Sequence, residues 1–361
     1  MGSEEKLQQI RERIDTLDLQ IQELINQRAG LAQEVARTKL REDRDAFFYR
    51  PEREAMILRR VQKRNQGPMG NEEMARLFRE IMSSCLALEM PMQVAFLGPE
   101  GTFTQAAALK HFGHSVNTIP MASISDIFRE VESASVHYGV VPVENSTEGV
   151  INHTLDLFLN SPLQICGEVM LRIHHHLLSL APDLKSVKRV YSHQQSLAQC
   201  RLWLDRNLPF AEQIDVGSNA EAARLASIEP DSAAIAGEMA AEIYKLKGLA
   251  RNIEDEPDNT TRFLVIGRQR VGASGEDKTT LLCATRNVAG GLGSLLNPLA
   301  RHGISMSRIE SRPSRQGNWD YVFFIDIDGH RDDENIAAAL KDLEREARML
   351  KVLGSYPTAV L

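Results

Sequence analysis

The chain has 361 residues, 43% of them hydrophobic and 25% charged, with a formal net charge of −7. This is the composition of an ordinary globular protein of two or three domains; the acidic balance argues against a nucleic-acid binder, and no apolar run approaches the ~20 residues of a membrane span. The N-terminus, MGSEEKLQQI, is too polar for a secretory signal, and four scattered cysteines (Cys85, Cys166, Cys200, Cys283) without a CxxC pair read as reduced thiols of a cytosolic protein.

Residues 4–41 contain no Pro and one Gly, Gly30. Leu7, Ile10, Ile14, Leu17, Ile21 and Leu24, then Leu31 and Val35, recur at alternating spacings of three and four. That heptad seam predicts one long helix that needs a partner. Arg28 falls in the slot after Leu24, and a guanidinium on a buried seam is costly unless an anion meets it. Lys39 lies 11 residues on, about three turns, and so on nearly the same face, whereas Arg11 sits about 100° around the helix. Two readings stay open: a polar layer that sets coiled-coil register, or a site for an anion. Pro51 to Gln66 predicts a second helix, with Pro51 at its start and Gly67-Pro68 as its stop. Asn71 is expected to cap a third, which ends before Pro91. Residues 1–91 are thus predicted to be all helix.

From Gln93 the pattern changes. QVAFLG, HYGVVPVE, VKRVYSH, SAAIAG and FLVIG read as short strands, with helices TQAAALKHF, SISDIFREVE, QSLAQCRLWLDRN and NAEAARLASI between them. Such alternation predicts an α/β unit with a mostly parallel sheet. Four loops are richer than turns require: GPEGTFT (98–104), PVENSTEG (142–149), SHQQS (192–196) and NTTRF (259–263). The first three follow predicted strands, where open α/β sheets bind ligands. GPEGT lacks the Gly-Lys-Ser/Thr ending of a phosphate loop, which argues against ATP. His174-His175-His176 invites a metal, but neighbours along a strand point to opposite faces, so no metal is expected.

VGASGEDK (271–278) reads as a linker. Beyond it the order strand (TTLLCAT), helix (GLGSLLNPLARHG), strand (ISMSRIES), strand (YVFFIDI), helix (ENIAAALKDLEREA), strand (KVLGSY) is βαββαβ, a ferredoxin-like unit. GGLGSLL lacks the full dinucleotide fingerprint, which argues against NAD.

Three resemblances follow. LQQIRERIDTLDLQIQELINQRAGLAQEVARTK, with Arg53-Glu54 and the end of the third helix, resembles the all-helical chorismate mutase family over about residues 5–90. This implies an intertwined dimer in which Arg11 reaches the partner's site, Arg28 and Lys39 hold the substrate carboxylates and ether oxygen, and Glu54 takes a ring hydroxyl beside Arg53. In the same alignment Arg50 stands where many relatives have Asp, Cys85 where they have a hydroxyl residue, and Glu89 where a Gln faces the ether oxygen. FLGPEGTFTQAA, VPVENSTEG, Ser192 to Gln195 and Thr-Arg-Phe occur in order over about residues 93–268 and resemble prephenate dehydratase, which implies two α/β lobes around a cleft, like a periplasmic binding protein. Thr261 is then the catalytic residue, and Thr102, Glu144, Asn145, Ser146, Ser192 and Gln195 line the cleft. Arg262 either anchors a carboxylate or braces the loop, and Phe263 packs beneath. Gln194 stands where Pro is common. GGLGSLLNPLARHGISMSRIESRPS resembles an ACT domain whose ligand is phenylalanine, with Gly291, Leu292, Asn297 and Glu310, Ser311, Arg312, Pro313 as effector residues; a ligand-free oligomerisation domain is the alternative.

Together these imply domains at 1–91, 92–270 and 278–361, and a cytosolic, cofactor-free bifunctional enzyme. It would turn chorismate into prephenate and prephenate into phenylpyruvate, under feedback by phenylalanine, as a homodimer or higher oligomer. The alternatives are a dehydratase whose helical third only dimerises, and a non-catalytic amino-acid-sensing protein.

Overall fold

The computed structural model describes residues 3–42, 47–147, 149–285, 288–313 and 321–361. The helical third is α1 (Ser3–Glu42), α2 (Pro51–Arg64) and α3 (Asn71–Glu89). Pro51 opens α2 as its first residue, where its missing N–H is not needed. At α3 the capping position is Gly70 rather than Asn71. Asn71 is the first helical residue, and its side-chain oxygen accepts from Asn65 Nδ2 at 2.9 Å.

Arg28 lies where the open seam of α1 meets the side that packs on α3. Ala36 is buried, and Ile25, Arg28, Ala32 and Lys39 are partly covered, so this face packs against α3. The face of Leu7, Ile10, Ile14, Leu17, Ile21 and Leu24 stays open, with exposures from 44% at Ile10 to 64% at Leu24, and Leu31 and Val35 stay open with it.

The middle segment forms two lobes. The first contains β1 (Gln93–Leu97), α4 (Phe103–Phe112), β2 (Asn117–Met121), α5 (Ile124–Glu132), β3 (Tyr138–Asn145), β4 (Gly149–Val150), α6 (Asn152–Phe158) and β5 (Gln164–Arg172). The second contains β6 (His176–Ser179), β7 (Arg189–Ser192), α7 (Gln194–Gln199), α8 (Arg201–Asn207), β8 (Glu212–Asp215), α9 (Asn219–Ala226), β9 (Ser232–Ala236), α10 (Glu238–Tyr244) and β10 (Lys247–Ala250). The chain then returns to the first lobe as β11 (Thr260–Gly267). The sheet orders are β2-β1-β3-β11-β5 and β10-β6-β9-β7-β8.

Both sheets are mixed, not mostly parallel. In the first, β11 runs antiparallel to β3 and β5; in the second, β6 runs antiparallel to β9 and β10. The cause is the double crossing between lobes, because a strand that returns from the other lobe enters its sheet from the opposite end. The helix expected over 195–207 breaks at Cys200, whose fully buried thiol turns the chain between α7 and α8.

The last unit has β12 (Asp277–Ala284), α11 (Gly291–Arg301), β13 (Met306–Pro313), β14 (Tyr321–Asp328), α12 (Glu334–Glu346) and β15 (Met349–Pro357), with sheet order β13-β14-β12-β15. This is the ferredoxin-like arrangement expected from element order. One sheet face carries α11 and α12 through Leu281, Cys283, Leu295, Phe323 and Leu343. The other, through Leu282, Phe324, Leu353 and Tyr356, shares a core with Val143, Phe158, Ile165 and Leu264 of the first lobe. Gly354 permits that contact, since a Cβ there would collide with the Ile165 backbone. The segment 271–278 is no free linker. Asp277 accepts from Ser274 N at 2.8 Å and Ser274 Oγ at 2.6 Å, and Arg59 of α2 grips Ser274 Oγ at 3.0 Å and Glu276 O at 2.8 Å. Among the described residues, no helix is long and apolar enough to cross a membrane.

Candidate functional site

In the helical third, Arg28, Lys39 and Glu89 come within electrostatic reach of one another at the α1–α3 contact. Burial raises the Glu89 carboxyl above the ordinary carboxylate value, with Lys39 and then Arg28 opposing. Burial likewise depresses the Lys39 ammonium, with Glu89 opposing and Arg50 and Arg53 acting with burial. At this site desolvation outweighs the local charges, the reverse of the balance one would assign to a carboxylate beside two cations. Lys39 also donates to Phe47 O at 3.3 Å and Phe48 O at 3.4 Å. Cys85 is buried in α3, while Arg11, Arg50 and Arg53 are exposed.

Glu54 does not join this group. It pairs with Arg79 Nε at 3.2 Å, and burial raises its carboxyl against the pull of Arg79. Glu54 shares a recess with Tyr49, His111 and the C-terminal residues 357–361, at the seam between domains. The acid of α2 whose charge acts on Lys39 is Glu52, bound to Arg50 Nε at 2.7 Å. Positions 52 and 54 differ by about 200° around a helix, so only one can face Lys39. The Arg-Glu pair alone does not say which.

In the middle segment β11 begins at Thr260, so the two threonines and Arg262 lie inside the strand. Its period of two then separates the side chains of Thr261 and Arg262. Thr261 pairs across with Asn145 of β3. Its hydroxyl oxygen accepts from Asn145 Nδ2 at 2.8 Å, and Nδ2 donates its second hydrogen to Asn259 Oδ1 at 2.8 Å. Asn145 Oδ1 accepts from Thr147 N at 3.0 Å and Thr147 Oγ1 at 2.6 Å. Asn259 donates to Gln199 Oε1 at 3.1 Å, and Gln199 donates to Thr147 Oγ1 at 3.1 Å from the second lobe. Thr261 is thus tied to the junction of the lobes. Phe263 is buried in the core beneath.

Arg262 points the other way. Its Nε donates to Glu168 Oε2 at 2.9 Å, Nη1 to Asp326 Oδ2 at 2.6 Å, and Nη2 to the Tyr356 hydroxyl at 3.0 Å. Burial works against its charge, but Tyr356, Asp326 and Glu168 more than offset this and leave its pKa raised. Lys278 adds bonds of 2.9 Å to both oxygens of Glu168. Its bonds thus tie β11 to β5 and to the ferredoxin-like unit. Glu144 also leaves the cleft face, held by Arg308 Nε at 2.9 Å.

Ser192 is fully buried and bonds to Asn219 Oδ1 and Ile235 O, both at 3.0 Å, so it supports the cleft wall rather than lining it. Ser146 accepts from Thr260 N at 2.9 Å. Thr102 caps α4. Gln194 and exposed Gln195 open α7, capped by His193. Gly101, at φ +88°, brings the 98–102 loop against Ala240 of the second lobe, where a Cβ would stand 3.2 Å from Ala240 Cα. The three histidines take separate partners: His174 bonds Glu254 at 2.8 Å, His175 bonds Gln199 at 2.9 Å, and His176 accepts from Asn252 N at 3.2 Å. Sequence reasoning missed Asn259, Gln199 and His175. Asn259 stood within the quoted NTTRF motif and His175 within the histidine triplet, read there only for a metal, while Gln199 carried no motif signal.

In the last unit a recess of about 260 Å³ is lined by Gly290, Gly291, Leu292, Gly293, Thr285, Val288, Tyr321 and Phe323. Asn297 lies further along α11, and Glu310 to Pro313 lie on β13, outside this recess within one chain. Arg312 reaches α6 instead, pairing with Asp156 at 2.9 Å and with Asn152.

Family models match three successive stretches: chorismate mutase type II over residues 10–90, prephenate dehydratase over 94–271, and ACT domain over 279–345. Over its full length the chain is 57% identical to the bifunctional chorismate mutase/prephenate dehydratase of Stutzerimonas stutzeri and 56% identical to that of Pseudomonas aeruginosa, each relative being covered in full. Among solved structures, the prephenate dehydratase of Arthrobacter aurescens in complex with L-Phe is similar, with a TM-score of 0.68 and 35% identity over 74% of this chain and 90% of that one.

Proposed function

The chain belongs to the family of bifunctional chorismate mutase/prephenate dehydratases, and from that premise we propose that its two reactions run in two separate sites, domains 1–91 and 92–270, with domain 278–361 as a phenylalanine sensor. The observation that carries the reading is the placement of Thr261: buried, held by Asn145 at the lobe junction, and on β11 rather than on the α1 and α3 helices that carry Arg28, Lys39 and Glu89.

The first reaction, chorismate to prephenate, is unimolecular. It needs no nucleophile, only groups that hold the folded dianion and stabilise charge on the breaking ether oxygen. Arg28 and Lys39 supply cations, and protonated Glu89 donates to that oxygen. The open apolar face of α1 is what a second copy covers, which brings the partner's Arg11 to the site and makes the protein a homodimer at least. In the second reaction prephenate loses its ring hydroxyl and carboxylate together. Thr261 protonates the leaving oxygen as general acid. With Arg262 engaged elsewhere, helix-start amides around the cleft meet the carboxylates. The glycine-rich start of α11 and Glu310–Pro313 of a second copy enclose phenylalanine. The four buried thiols suit the cytoplasm.

Purified protein given chorismate tests the reading, with chorismate loss and phenylpyruvate formation followed separately. Both should proceed; loss of chorismate without phenylpyruvate would leave only the mutase.

Two further outcomes are expected. Because burial raises the Glu89 carboxyl, it keeps its proton to higher pH than an ordinary carboxylate, which titrates near ~4.3. Mutase kcat/KM should therefore fall as pH rises through that pKa, and Glu89→Gln, a donor at every pH, should flatten the profile. Superimposable profiles would remove Glu89 from the reacting oxygen. Separately, L-phenylalanine should bind the intact protein in calorimetry and inhibit dehydration more than rearrangement, since Arg262, Arg308 and Arg312 all join the sensor's contacts to the dehydratase. No binding heat would remove the effector role of Gly291, Leu292 and Glu310–Pro313.

A further inference from the structure

The apolar cluster between α2 and α3 is closed by side chains from outside the helical third. Leu58 of α2 and Ala75 and Met82 of α3 form its buried part, with Ile57 and Phe78 beside them. The other two side chains packed against it are Val360 and Leu361, which follow β15. Polar bonds hold this segment on the same helix. Arg59 Nη2 donates to Thr358 O at 3.3 Å, to Thr358 Oγ1 at 3.0 Å and to Glu276 O at 2.8 Å. Gln62 Nε2 donates to Val360 O at 3.5 Å. Residues 357–361 also line the recess that contains Glu54 and Arg79.

The segment has little slack at its other end. Tyr356 is fully buried, and its hydroxyl accepts from Arg262 Nη2 at 3.0 Å. Thr358 N donates to Glu276 O at 3.1 Å. Val360 and Leu361 are thus held from the sensor's sheet on one side and from α2 on the other.

Their seat on α3 is continuous with the mutase group. Ala75, Phe78, Met82, Cys85 and Glu89 recur at alternating spacings of three and four, which puts them on one side of the helix. Glu89 follows Met82 by about two turns, or ~10 Å. We propose that Val360 and Leu361 are positioning residues of the mutase: packed against α2 and α3 and held through Arg59, they set how α3 lies, and so where Glu89 stands against Lys39 and Arg28 of α1. This rests on Glu89 as the donor to the ether oxygen.

The test is mutase kcat/KM against pH in the full chain carrying Val360→Asp and Leu361→Asp together. Beside it stand the conservative pair Val360→Ile and Leu361→Met, and the single change Arg59→Met. Carboxylates do not stay against Leu58 and Met82, so the aspartate pair lifts the segment. Mutase kcat/KM should then fall about 10- to 100-fold, the scale of a misplaced catalytic group, while dehydration of supplied prephenate is retained. The conservative pair, which keeps the apolar contact, should restore the rate, and Arg59→Met, which loses only the polar hold, should lie between.

The pH midpoint is the readout that simple instability does not move. Burial raises the Glu89 carboxyl, and the charges that act on it are Lys39 and then Arg28, both opposing. Water admitted along α3 brings that pKa down toward the ordinary ~4.3. The fall of kcat/KM with rising pH should therefore come at lower pH in the aspartate pair. An unchanged kcat/KM in the aspartate pair, or a lowered one with an unmoved midpoint, overturns the proposal, as does an equal loss of dehydration. If Glu89→Gln leaves the profile of the unaltered protein superimposable, Glu89 is removed from the reacting oxygen and the positioning role goes with it.

Discussion

Replacing Thr261 by alanine should lower phenylpyruvate formation from prephenate by about 10²- to 10⁴-fold, the usual contribution of a positioned proton donor, and leave chorismate rearrangement intact. The substitution removes one hydroxyl. Asn145 keeps its bonds to Asn259 and Thr147, so the lobe junction persists. The lost rate then reports chemistry rather than folding. Thr261→Ser, which keeps the donor but not the methyl that limits its rotation, should fall between the two. Equal rates for Thr261→Ala and the unaltered protein would take Thr261 out of the mechanism.

Arg262, the next residue along the same strand, should behave oppositely. Arg262→Met removes a cation that bonds two buried acids and a buried phenol, leaving Asp326 without its 2.6 Å partner and Glu168 with Lys278 alone. Breaking a buried ion pair from one side costs about 3–5 kcal/mol, so the midpoint of denaturant unfolding should drop markedly. Activity per folded molecule should fall far less than in Thr261→Ala, while inhibition by phenylalanine weakens, because the sensor's sheet loses its anchor on β11. A fully stable Arg262→Met protein that cannot dehydrate prephenate would instead place Arg262 on the substrate.

This contrast also marks what a sequence can and cannot show. Thr260 to Gly267 alternate as a strand must, and had the strand been started at Thr260 rather than Phe263, opposite faces for Thr261 and Arg262 would have followed from the period alone. The ferredoxin-like order was legible for a similar local reason, since each helix and strand there carries its own apolar pattern. Glu52 against Glu54 was not legible, because a helix start offers both and only tertiary packing chooses between them. Gln199, Asn259 and His175 could not be joined from sequence at all. They lie on three separate stretches of chain and meet only because the chain crosses twice between lobes. The segment 271–278 misled through its composition. Gly and Ser there serve tight bonding around Asp277, not freedom.

Two independent sites on one chain is the central claim, and mixing two disabled proteins tests it most directly. Arg28→Ala should leave chorismate unconverted yet dehydrate supplied prephenate, and Thr261→Ala should stop at prephenate. Each variant's surviving activity shows that it is folded. An equal mixture of the two, given chorismate alone, should again form phenylpyruvate, since prephenate made by one protein reaches the intact cleft of the other. A mixture that forms none, while both surviving activities persist, would contradict the account.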